Sequence, residues 1–99
     1  MEKMMEWLGQ VLNNQKISGV NYDNPEEKDA IRLLRECNIV DRLEGDVFAL
    51  HPTLKERFSQ AGKILSIHEK LALIKEDFQK SPFAASPGKS EFLNIINQI

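Results

Sequence analysis

The sequence predicts a mainly α-helical chain with one small β-hairpin, and three observations predict it. Apolar residues recur at spacings of three and four in both the first and the last thirds of the chain. A strongly marked helix start stands at Asn24-Pro25, and between residues 39 and 50 the periodicity shortens around a glycine. At 99 residues the chain supports one hydrophobic core and not two.

From about Lys3 to Asn13, Met4, Trp7, Leu8, Val11 and Leu12 fall on one helical face, and Asn13-Asn14 supplies a stop. Gln15 to Asp23 reads as a loop that Ile17, Val20 and Tyr22 pin to the core. In Asn24-Pro25-Glu26-Glu27, asparagine is a favoured N-cap, proline suits the first helical position, and Glu27 sits where a capping box places its acid. The apolar face of that helix is Ala30, Leu33, Leu34 and Cys37, with Ile31 at its edge, and Asn38 suits a left-handed terminator.

Ile39, Val40 and Leu43, then Val47, Phe48 and Leu50, flank Glu44-Gly45-Asp46. β-Branched and aromatic residues favour paired strands, and Gly45 tolerates the positive φ of a tight turn, so a two-stranded hairpin is expected. His51-Pro52-Thr53 opens another helix, with Leu54, Phe58 and Ala61 on one face and Gly62 at its end. A longer helix is expected from about Lys63 to Gln79, its seam formed by Ile64, Ile67, Leu71, Ile74 and Phe78. Ser81 to Lys89, with two Ser-Pro pairs and Gly88, reads as a loop, and Ser90 to Gln98 as a short last helix burying Phe92, Ile95 and Ile96.

The composition narrows the function classes. Hydrophobic residues at 41% and charged residues at 28% describe a globular domain, not a disordered tail. Cys37 is the single cysteine, which excludes an intramolecular disulfide and a multi-cysteine zinc site and fits a reducing cytoplasm. Acids in Met1-Glu2-Lys3-Met4-Met5-Glu6-Trp7 interrupt any signal-peptide pattern, and no apolar run is long enough to span a bilayer. A cytoplasmic protein without membrane contact is expected. The net charge of −2 weighs against a purely electrostatic nucleic-acid binder.

The order helix, loop, capped helix, Gly-turned hairpin, helix resembles a winged helix domain over residues 3–62. Leu33-Leu34-Arg35-Glu36-Cys37-Asn38-Ile39-Val40 and Gly45-Asp46-Val47-Phe48-Ala49-Leu50-His51-Pro52-Thr53-Leu54 carry the likeness. The resemblance implies a winged-helix-like core at 3–62 and a helical extension at 63–99 packed on the same core. Two features depart from the family pattern: the stretch ahead of Asn24 is short for a middle helix, and the helix placed as the recognition element is rich in acids.

In that family the recognition helix enters the major groove and the wing contacts the backbone, which implies Lys28, Arg32, Arg35 and Arg42 as DNA-facing residues here. Residues 25–50 hold those four cations against seven anions, the wrong sign for a phosphate-facing surface. Winged helices also dock proteins, and the charge favours that use. Residues 51–80 carry the opposite balance, six cations against four anions. That stretch reads either as a solvated helix face or as a patch complementary to an acidic partner or a second copy.

Chemistry finds no support. Gly88-Lys89-Ser90 matches the tail of a phosphate-binding loop, but Phe83 stands where the motif requires its first glycine. His51 and His68 have no second ligand at metal spacing, Cys37 reads as a small core residue, and Glu26-Glu27 and Glu76-Asp77 point apart on a helix. No catalytic, cofactor or metal residue is assigned and no cofactor is expected.

The reading is therefore a non-enzymatic protein-interaction or regulatory module. Its partner is a second protein or a second copy, and the apolar residue Ile99 at the end of the sequence suggests that a larger protein continues from it. The seam Ile64, Ile67, Leu71, Ile74 and Phe78 either packs on the core or contributes a partner surface. The alternative is a DNA-binding transcriptional regulator using the helix 25–37 and the hairpin wing.

Overall fold

The computed structural model describes residues 2–80 and 87–98. Its elements in chain order are α1 (Glu2–Leu12), α2 (Pro25–Glu36), β1 (Val40–Leu43), β2 (Val47–Leu50), α3 (Pro52–Ser59), α4 (Ile67–Lys80) and α5 (Pro87–Ile96). The fold is mainly α with one antiparallel hairpin, as the periodicities predict.

Every residue assigned to the apolar face of α1, from Met4 to Leu12, is buried. At the start of α2, Asn24 Oδ1 accepts hydrogen bonds from the Glu26 and Glu27 amides at 2.9 and 3.2 Å. The expected reciprocal bond of a capping box is absent: the Asn24 amide already donates to the Asn21 carbonyl, and Glu27 instead accepts from the Asn21 amide. Glu26 accepts from the Lys3 amide at 3.0 Å, tying the first turns of α1 and α2 together. At the other end Asn38 takes φ 55° and the Ile39 amide reaches back to Leu34 O, the closure of a left-handed helix terminus.

The strands pair Val40 with Leu50 through to Leu43 with Val47, and Gly45 and Asp46 supply the positive φ angles of the turn. Ile17 and Phe48 exchange two backbone hydrogen bonds of 2.8 Å, so a single residue from the first loop pairs with β2. Ile17 is buried as expected and Val20 half-buried. Tyr22 is not in the core; it is exposed, and its hydroxyl donates to Asp46 Oδ1 at 3.0 Å, fastening the loop to the hairpin turn. Between Leu12 and Pro25 there is no helix.

His51 caps α3, its Nδ1 accepting from the Thr53 amide. Leu54 and Phe58 are buried, but α3 ends at Ser59 and Ala61 is exposed beyond it. The next helix begins at Ile67, four residues later than its apolar spacing suggests. Ser66 and Glu69 form a true capping box, each accepting a hydrogen bond from the other's amide, and this local exchange sets the start.

Residues 81–86 of the expected loop lie outside the described residues, while Pro87, Gly88 and Lys89 form the first turn of α5. Phe92 and Ile96 of α5 are buried, Ile95 is half-buried, and the Phe92 ring lies 5.6 Å from that of Phe78. Ile74, Phe78, Phe92 and Ile96 thus join the same apolar cluster as Met4, Leu34 and Phe48. Among the described residues no helix is long and apolar enough to cross a membrane.

Candidate interaction surfaces

The outward face of α2 follows from its helical period. With Ala30, Leu33 and Leu34 turned into the core, Lys28, Asp29, Arg32, Arg35 and Glu36 are exposed. Together with Tyr22 they line a shallow groove of about 480 Å³. Arg32 lies amid carboxylates, 3.1 Å from Glu36, 3.6 Å from Asp29 and 3.5 Å from Glu91 of α5. Burial works against its charge, but the hydrogen bond to Glu36 and the fields of Glu36 and Glu91 outweigh it and raise its pKa.

Arg35 lies over the Phe48 ring at 5.7 Å, and Arg42 pairs with Asp46 at 3.5 Å across the hairpin turn. Burial, then the hydrogen bond and charge of Asp46, raise the pKa of Tyr22. The four cations that the resemblance assigned to DNA are thus divided. Lys28, Arg32 and Arg35 share the α2 groove, whereas Arg42 sits on the hairpin, and both Arg32 and Arg42 are neutralised within the chain.

The seam does not form the continuous strip that its spacing suggests. Ile64 lies outside the helix and is 98% exposed; Ile67 and Leu71 are half-buried; Ile74 and Phe78 are in the core. The late start of α4 is the reason, because it removes Ile64 from the helical frame that would have aligned it with Ile67 and Leu71.

A second surface brings Ile64 of the seam together with lysines of the basic stretch 51–80, a juxtaposition that apolar spacing alone does not show. Leu50, Phe58, Ile64 and Leu65 form the apolar part of a cleft of about 200 Å³ whose charged lining residues are Lys55, Lys63 and Lys70. Lys70 donates to the Leu12 carbonyl at the end of α1 and lies over the Phe58 ring at 5.6 Å. Lys63 pairs with Glu69 at 2.8 Å. The hydrogen bond from Lys63, then those within the capping box, draw the Glu69 pKa down to about 2. The basic surplus of residues 51–80 was visible in the sequence, but its gathering beside Ile64 depends on α3, α4 and the end of α1 meeting.

Cys37, His51 and His68 each have a definite place in the described structure. Cys37 is buried and donates to the Gly88 carbonyl at 3.5 Å, and burial, reinforced by Glu36, pushes its pKa up to about 12. His51 serves as a helix cap, and His68 is exposed on α4. Among the described residues no group of three His, Cys, Asp or Glu side chains is placed to hold a metal. Comparison with known proteins finds no matching family model, no matching curated protein and no matching solved structure.

Proposed function

We propose that this chain is a non-enzymatic protein-docking module with a winged-helix-like core formed by α1, α2, the hairpin and α3, extended by α4 and α5. The observation that carries the reading is the neutralisation of Arg32 and Arg42 by Asp29, Glu36, Glu91 and Asp46. A cation already paired with carboxylates gains little by releasing counterions from DNA, and the carboxylates beside it repel phosphate. A protein surface, which offers both signs of charge and apolar side chains, suits the α2 groove and the basic cleft better. The cytoplasm is the compartment proposed for it, a reading supported by a single cysteine with no disulfide partner in the sequence.

The opposing reading is a DNA-binding regulator using Lys28, Arg32, Arg35 and Arg42. Fluorescence anisotropy of a labelled duplex at low and high salt separates the two. The docking reading expects no salt-sensitive binding, whereas tight binding at low ionic strength that salt abolishes would overturn it.

A further inference from the structure

Among the described residues, Tyr22, Leu43 and Ile64 are the large hydrophobic side chains left exposed. Tyr22 has a polar partner in Asp46. The other two stand in surroundings of opposite charge. Leu43, 40% exposed, lies at the tip end of the hairpin, where within residues 41–46 Asp41, Glu44 and Asp46 outnumber Arg42. Ile64, 98% exposed, lines the cleft with Lys55, Lys63 and Lys70; Lys63 is paired with Glu69, and Lys55 and Lys70 leave the cleft net positive.

The patches also lie at opposite ends of the hairpin. Leu43 pairs with Val47 beside the turn, whereas Leu50, which lines the cleft, pairs with Val40 at the base. The three residue steps between those pairs separate them by roughly 10 Å, so the tip does not fold onto the cleft of its own chain.

We infer that a second copy of this chain is the partner: the hairpin tip of one copy, with Leu43 in the acidic stretch 41–46, docks in the Ile64 cleft of the next, between Lys55, Lys63 and Lys70. This rests on the docking reading above and names its partner. The contact joins two different surfaces, so it is heterologous and propagates head to tail, as a ring where the rotation closes and as an open chain where it does not. Charge complementarity sets the orientation, and burial of two exposed aliphatic side chains supplies the non-directional part of the attraction.

Sedimentation equilibrium of the full chain tests it, together with the variants Leu43→Asp and Ile64→Asp. Both positions are exposed, and circular dichroism verifies that each variant folds. Wild type should gain mass with concentration, and raising salt from about 20 mM to about 300 mM should weaken association about tenfold. Each variant alone should be monomeric. An equimolar mixture should form a one-to-one dimer, because each variant retains one intact patch.

A wild-type chain that stays monomeric at low salt overturns the inference, as does association that neither substitution affects. A mixture with no heterodimer excludes the head-to-tail contact. Uptake of an oligoglutamate peptide by the cleft of a monomeric wild type would assign a different occupant and also overturn self-pairing. Failure here with no DNA binding leaves the docking reading standing; salt-sensitive DNA binding removes that reading whatever the mass.

Discussion

Gly88 is the residue whose role depends most on distant packing. A Cβ at this position would lie 2.5 Å from Glu36 Oε2, which can swing aside, and 3.3 Å from Glu36 Cβ, which can yield only by a small shift of α5 against α2. In an open helical turn, glycine to alanine stabilises by roughly 0.5–1 kcal/mol. Here the contact with Glu36 Cβ should offset that gain, so Gly88→Ala should leave stability within about 0.5 kcal/mol of wild type, and the gain should emerge in a Glu36→Gly background; urea unfolding of the double-mutant cycle reads both. Nothing local marks Gly88 for this role, since in sequence it resembles a loop glycine between Pro87 and Lys89. Cys37 was legible because its place on the apolar face of α2 is a matter of helical period alone. Its pKa lies at about 12 when folded against an ordinary 9.0, so the folded state holds the proton longer than the unfolded chain does. Stability should be full below about 9 and fall as pH rises toward 12. Native Cys37 should react with a thiol reagent only as fast as the protein opens, which a thiol-labelling time course with and without urea checks.

At the scale of elements, boundaries follow local hydrogen bonds more closely than apolar spacing. The start of α2 was legible because asparagine, proline and their order specify a cap with little help from the rest of the molecule. Asn24→Ala should cost about 1 kcal/mol, seen as a lower urea midpoint. Apolar spacing sets the start of α4 too early because Ile64 and Ile67 continue a helical spacing, while Ser66 and Glu69 close a box that begins the helix later. Ser66→Ala should likewise cost about 1 kcal/mol and fray the first turn in amide exchange. Glu69 titrates near 2 in the fold against an ordinary 4.5, so its contribution is present above 4.5 and lost as pH falls toward 2. Glu69→Gln should remove that acid limb from the pH-stability curve, measured by thermal unfolding across the range. The pairing of Ile17 with Phe48 left no periodic trace, since a single residue has no period. The charged groove on α2 was legible in membership but not in pairing: Glu91 reaches Arg32 only because α5 packs there.

Across the whole molecule, one core joins α1, α2, the hairpin and α3 to α4 and α5. Phe92 is fully buried against Phe78 although the two lie on successive helices of the extension. Phe92→Ala should therefore cost about 3–5 kcal/mol and lower a single cooperative transition, not detach a separate unit. Calorimetry of the variant distinguishes these outcomes, and a two-step melt would contradict the single-core description. The mainly α class and the hairpin were legible because period and turn chemistry are local. The basic cleft was not, because its walls come from segments far apart in sequence. Charge is distributed on the same scale: acids concentrate on α2 and the hairpin, bases on the surface around α3 and α4, and two of the four cations of the first region, Arg32 and Arg42, are paired with carboxylates of the chain. That distribution underlies the choice of protein over DNA as partner, and the slope of duplex affinity against salt concentration on logarithmic axes tests it most directly. Four phosphate contacts by Lys28, Arg32, Arg35 and Arg42 would require a slope of roughly −3 to −4. The docking account predicts no measurable affinity from which to draw a slope; a slope that steep, lost on substitution of Arg32 and Arg35, would contradict it.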